Sequence, residues 1–221
     1  MSKVLIVVAH PDDEVLGVGG AILKHVKEGD EVRILIMADG ESARNEGVDI
    51  GKREAQAKKV GEVLGVKDII LEGLPDNAMD SLTLLEITKL VERVVFDFKP
   101  EIIYTHCPND LNVDHRLAFQ AVLTCCRPQP GFFVKKILAF ETPSSTEWQI
   151  KDAAHIFCPT KYIDISEVID DKINCLKIYK DELREYPHPR SLEGVKVLAR
   201  FRGIEVGCEY AEAFQVIRIL D

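Results

Sequence analysis

One imidazole and three carboxylates stand in His10-Pro11-Asp12-Asp13-Glu14, directly after the apolar run Val4-Leu5-Ile6-Val7-Val8-Ala9. Delivering such groups from the tip of a buried strand does little for a fold, but it suits a divalent metal with a base beside it. Pro11 fixes φ just after the strand and can open a helix, so His10 and Asp13 ride a stiff turn where both can face one ion. A third ligand is expected at the end of another strand. The best placed is His115, in the polar stretch His106-Cys107-Pro108-Asn109-Asp110-Leu111-Asn112-Val113-Asp114-His115-Arg116. Two imidazoles and one carboxylate suit Zn2+ and leave a fourth position for water, as catalytic zinc sites do; magnesium would call for more oxygen. Asp12, next to a ligand and not needed as one, is placed to act as general base on that water. His106 and Cys107 compete for the metal and rank behind His115, because they precede the turn of the loop. Taken singly, Asp12, Asp13 and Glu14 are also what a helix dipole favours in a first turn, and Asp114 is what an N-cap favours. The combination is what points to metal.

These residues need a scaffold that brings two strand ends together. Short β-rich runs at 3–9, 31–37, 68–72, 101–105, 135–141 and 214–220, with a weaker one at 162–165, alternate with helical patterns at 13–28, 51–64, 81–98, 114–126, 167–185 and 192–203. That alternation implies an α/β fold: a Rossmann-like, doubly wound, mostly parallel sheet in a three-layer α/β/α arrangement with right-handed crossovers. With the strand order 3-2-1-4-5, strand 1 lies beside strand 4 at the switch point where ligands bind, and His115 meets His10 and Asp13 there. Gly17-Val18-Gly19-Gly20 is not a dinucleotide-binding turn: Ile22 stands where the third glycine belongs, and Asp12 and Asp13 would face the pyrophosphate. These glycines instead let the first helix pack closely on the sheet.

At 221 residues the chain reads as a single domain, 1–221, with no linker, repeat or low-complexity stretch. A net charge of −9 argues against a nucleic-acid partner. The six cysteines show no C-x-x-C spacing, which suggests a reducing, cytoplasmic setting; neither a signal peptide nor a membrane-spanning run is visible. His25 and His155 read as structural or surface residues.

With Ala9-His10-Pro11-Asp12-Asp13-Glu14, the loop 109–116, and Gly51-Lys52-Arg53-Glu54 followed by Leu64-Gly65, the chain resembles the LmbE-like, PIG-L-type zinc de-N-acetylases over most of its length. The resemblance implies removal of acetyl groups from N-acetylated amino sugars or sugar conjugates. It matches His10, Asp13 and His115 to the zinc ligands, Asp12 to the general base, and Arg53, Glu41 and Asp76 to substrate contacts. A homo-oligomer is expected. One departure matters: several family members carry a histidine three residues before the last ligand, where this chain has Asn112, an amide that can donate a hydrogen bond but cannot transfer a proton. His188, in Tyr186-Pro187-His188-Pro189-Arg190-Ser191, is the candidate to supply that acid, unless it is incidental to a rigid connector. Arg190 and Arg202 could bind an anionic group of the substrate. In the expected reaction zinc polarises the acetyl carbonyl, Asp12 activates the zinc-bound water, and Asn112 or His188 assists the oxyanion. A metal-dependent phosphoester hydrolase and a non-catalytic sugar- or nucleotide-binding module with a structural metal stay open as alternatives.

Overall fold

In the computed structural model, residues 1–43 and 51–221 are described. The first strand, β1 (Lys3–Val8), explains its own apolar run: Val4, Ile6 and Val8 enter one core while Leu5 and Val7 enter the other, so both faces are buried. It pairs in parallel with β2 (Glu31–Ala38) on one side and β4 (Ile102–His106) on the other. Outward from these lie β3 (Asp68–Leu74) and β5 (Lys136–Phe140), both parallel, then β7 (Ala211–Ile219), antiparallel to β5, and β6 (Lys161–Asp164), antiparallel to β7. The sheet order is β3-β2-β1-β4-β5-β7-β6, so the switch point falls between β1 and β4.

Helices cover both faces. Helices α1 (Asp13–Lys27), α2 (Lys52–Leu64), α5 (Ile169–Leu176) and α6 (Leu192–Ile204) close one core; α3 (Leu84–Phe98) and α4 (Val113–Cys125) close the other. Helix α3 starts on a capping box between Thr83 and Glu86, α4 on Asn112 and α6 on Ser191. Gly17 and Gly20 are where α1 meets the sheet and its cover: an added Cβ would sit 2.1 Å from the Phe140 ring or 2.5 Å from Ile165. The last strand also holds α1 directly. Glu212 accepts from the Gly20 and Ala21 N–H groups at 2.8 Å each, and buried Lys172 bridges Glu212 to the Leu16 carbonyl. All six cysteines are free, and Cys125 and Cys126 are buried. No helix among the described residues is long and apolar enough to cross a membrane.

Among the boundaries that shift from the pattern in the sequence, two have a visible cause. The helix expected over 167–185 ends at Leu176 and passes through a 3-10 turn, Lys177–Tyr179, into turns. It breaks because Tyr179 and Glu182 turn inward, to Glu14 and to Arg53. The last strand starts at Ala211, earlier than expected, because Ala211 and Ala213 pair with β6 before the large apolar residues begin.

Candidate metal centre and its cleft

The end of β1 and the start of α4 bring His10, Asp13 and His115 together, all buried. His10 Nδ1 and His115 Nε2 each lie 3.3 Å from Asp13 Oδ2, and 3.3 Å from each other. Ligand atoms held at about 2.0–2.1 Å by a tetrahedral zinc stand about 3.3–3.4 Å apart, so the triangle already has the edge length of that polyhedron. Asp13 Oδ1 is buried without a hydrogen-bond partner among the described residues, as a carboxylate awaiting a cation would be. The donor set therefore fits a zinc ion.

Each imidazole is backed by a carboxylate on its far nitrogen. Asp114 Oδ2 is 3.0 Å from His10 Nε2, and Asp110 Oδ1 is 3.0 Å from His115 Nδ1. A carboxylate there orients the ring and leaves the other nitrogen's lone pair for metal. His10, Asp76 and Asp114 also form a possible ligand group, but it would need the His10 nitrogen that already faces Asp114. Asp110 is itself fixed by the Ser145 and Thr146 hydroxyls and the Asn112 N–H; burial pushes it up, but His115 first, then the two hydroxyls, hold it down at about 2. Burial disfavours charge on His10, yet the bonded Asp114 and Asp13 outweigh it and raise His10 to about 10; Asp13 and Asp110 likewise raise His115 to about 9. The pocket is built for positive charge.

His106, the competing ligand, is spent elsewhere. Its Nε2 accepts the Ala9 N–H at 2.9 Å, its Nδ1 faces the Thr142 hydroxyl, and its ring stacks on His115 at 3.9 Å. Burial and then the charge of His115 push it down to about 4, keeping it neutral. The Cys107 thiol points to Gln215.

Asp12 sits at φ 117°, a left-handed conformation that costs a non-glycine residue about 1–3 kcal/mol. Glu14 holds it there: its Oε2 accepts the Asp12 N–H at 2.9 Å and its Oε1 accepts from Tyr179 at 2.6 Å. Burial raises Glu14 to about 7 and pushes Asp12 up as well, with Arg190 and Arg53 opposing the latter shift. Asp12 Oδ2 lies 3.2 Å from Arg190 Nη1 and 3.5 Å from Arg53 Nη2. Arg53 also donates to the Pro11 carbonyl and pairs with Glu182 at 3.2 Å, while its buried Nε has no hydrogen-bond partner among the described residues.

These groups open into a small polar cleft lined by His10, Asp12, Gly40, Arg53, Asp76, Asn77, Asn112, Glu182 and Arg190. Of the residues singled out in the sequence, Arg53, Asp76 and Asn112 thus reach the cleft; Glu41 and His188 do not line it. The Glu41 carboxylate accepts the Gly51 and Arg53 N–H groups and closes the N-terminus of α2. His188 packs edge-on against Trp148 at 5.6 Å, and its Nδ1 accepts the Arg190 N–H. Arg202 is committed to Glu141 through two hydrogen bonds, so of the two arginines considered for an anion only Arg190 faces the cleft. The supporting roles of Asp110, Asp114, Tyr179 and Glu182 were not read from the sequence; carboxylates one and five residues before His115 were the available signal for the first two.

The profile of the GlcNAc-PI de-N-acetylase (PIG-L) family matches residues 5–126, more than half of the chain. Diacetylchitobiose deacetylase of Thermococcus kodakarensis is 26% identical over 229 residues, covering 98% of this chain and 84% of the relative. Among solved structures, N,N'-diacetylchitobiose deacetylase of Pyrococcus horikoshii superposes with a TM-score of 0.79 at 21% identity, covering 98% of this chain and 84% of that one. The 4-carboxy-2-hydroxymuconate hydratase of Pseudomonas putida superposes at 0.80 with 23% identity, covering 100% and 99%. The two superpositions establish the shared α/β fold, which carries more than one chemistry.

Proposed function

This chain belongs to the GlcNAc-PI de-N-acetylase (PIG-L) family, and we propose that within it the protein is a zinc-dependent amidohydrolase that removes the acetyl group from an N-acetylated amino sugar or sugar conjugate. The observation that carries the reading is the 3.3 Å triangle of His10 Nδ1, Asp13 Oδ2 and His115 Nε2, which adjoins, through His10, the cleft that Asp12 also lines. The relatives named above as deacetylases act on acetylated chitobiose, and that substrate class is carried over here.

A bound zinc ion supplies a Lewis acid that polarises the acetyl carbonyl and makes water acidic enough to lose a proton near neutral pH. Asp12 takes that proton as the water oxygen bonds to the acetyl carbon. When the tetrahedral stage collapses, the carbon–nitrogen bond breaks, its electron pair leaves with nitrogen, and Asp12 returns the proton there; acetate and the free amine are the products. Arg190 and Arg53 aim the Asp12 carboxylate, and Glu14 holds its backbone. Arg53, through its unpaired Nε, and Asp76 hold sugar oxygens in the cleft.

The test is acetate release by zinc-loaded protein from N-acetylglucosamine, N,N'-diacetylchitobiose and nucleotide- and lipid-linked N-acetylglucosamine. At least one should react, with activity lost on chelation and restored by zinc. No release from any of them by protein holding one zinc per chain would sink the reading; two ions per chain with phosphatase activity would replace it by the phosphoester hydrolase.

A further inference from the structure

Arg190 enters the cleft from the segment between α5 and α6 with its guanidinium fixed on two sides. Its Nε donates to Ser144 Oγ at 2.7 Å and to the Pro143 carbonyl at 3.4 Å, and its Nη1 donates to Asp12 Oδ2 at 3.2 Å. Its Nη2 makes no hydrogen bond among the described residues, and the side chain, 22% exposed, lines the same cleft as His10 and Asp12. One amino group of a permanently charged fork thus touches the base while the other is left for a ligand.

Amide hydrolysis needs such a donor. As water adds, the carbonyl π electrons move onto oxygen, and a preorganised hydrogen bond to that oxyanion is worth about 10²–10³ in rate. Asn112 is poorly placed to give it: its Oδ1 accepts the Asp114 N–H at 2.8 Å to cap α4, and its Nδ2 donates to Asn77 Oδ1 at 2.9 Å. His188 lies outside the cleft lining, against Trp148. Arg53 spends its Nη2 on the Pro11 carbonyl and turns Nη1 to Glu182, which leaves only its buried Nε, assigned above to the sugar. We infer that Arg190 is a further catalytic residue, donating through Nη2 to the oxyanion of an acetamide seated beside Asp12; the inference rests on the deacetylase reading above. Arginine keeps its proton, so the proton that departs with the amine is the one Asp12 took from water, and the step balances without a second acid.

The experiment compares binding of two probes to zinc-loaded protein by calorimetry: the methylphosphonamidate of glucosamine, tetrahedral and anionic like the transition state, and glucosamine, the planar substrate's product. Wild type should bind the first at least about 10²-fold tighter. Arg190→Gln should lose about 10²–10³-fold of the phosphonamidate affinity, with kcat falling in parallel, while zinc content and glucosamine affinity stay within about threefold of wild type. Arg190→Lys should retain part of the preference through its charge, and Ser144→Ala, which frees Nε, should lose about tenfold; both keep the test alive if Arg190→Gln does not fold. Acetate release by wild type with undiminished phosphonamidate preference in the Arg190 variants overturns this inference alone, as does a loss of that preference in His188→Ala instead. A wild type that neither releases acetate nor prefers the phosphonamidate overturns both readings.

Discussion

His10, Asp13 and His115 sit at the ends of regular elements, and each ring is backed by a carboxylate; Glu182, His188 and Arg190 sit on turns between the 3-10 turn ending at Tyr179 and the cap at Ser191. The first region is fixed from behind: Asp110 is held by hydroxyls and backbone, and Asp114 by the Met79 N–H and His10. The second is fixed to residues beside the ligands and to a loop: Tyr179 bonds Glu14, Glu182 pairs with Arg53, and Arg190 pairs with Asp12 and donates to Ser144. The metal ligands thus have support that does not pass through the facing wall. Damage to the metal pocket should remove metal and rate together, whereas damage to the facing wall should lower rate and leave metal in place.

The largest effect should come from His115→Ala, which removes one vertex of the triangle: zinc and acetate release should be lost together, checked by metal analysis of the purified variant. Full occupancy would remove His115 from the pocket and break the contrast at its root. The same pocket gives a pH signature in wild type. With His10 raised to about 10 and His115 to about 9 from an ordinary 6.5, the metal-free protein gains stability from their protonation that is full below about 6.5 and fades as pH rises through 9 to 10. Zinc must displace those protons, so its apparent affinity should rise with pH through 9 to 10, and its binding enthalpy at pH 7 should vary with the ionisation enthalpy of the buffer. A buffer-independent enthalpy would mean the rings are already neutral.

Next in size, Asp12→Asn should keep zinc and slow turnover by about 10²–10⁴-fold, the usual contribution of a positioned base. Normal turnover at normal metal content would place the base elsewhere. Glu182→Gln probes the wall: Arg53 loses its partner and substrate alignment with it, so kcat/KM should fall by about tenfold with zinc unchanged, an effect of roughly 1.4 kcal/mol. Loss of zinc in this variant would show that support runs in both directions. The smallest effect belongs to neither region. Thr83→Ala, which removes the α3 cap on the far face, should cost about 1 kcal/mol in chemical denaturation and leave kcat/KM as it was.

The same contrast explains what could be read in advance. Alternation of strand and helix periods fixes the layers, and with them the β1–β4 junction that gathers His10, Asp13 and His115, because a parallel sheet leaves few topologies. Those residues also lie in two short sequence windows. Other choices depend on partners far along the chain. His106 and His115 are both histidines near one strand end, and only the Ala9 N–H and Thr142 hydroxyl taking both nitrogens of His106 decides between them. Glu41 looks like a cleft carboxylate until α2 claims both its oxygens. The segment after Leu176 carries a helical pattern, but the pull of Glu14 and Arg53 on Tyr179 and Glu182 overrides it.

The Glu212 clamp on α1 has a consequence for how the protein is made. Contact partners are separated by 105 residues for His10 and His115, by 178 for Asp12 and Arg190, and by 192 for Gly20 and Glu212. A ribosome releases them in that order, so the ligand set is in hand while α1 still lacks the strand that pins it and Asp12 still lacks Arg190. The three ligand residues are therefore made before Arg190 and β7, the groups that aim Asp12 and pin α1.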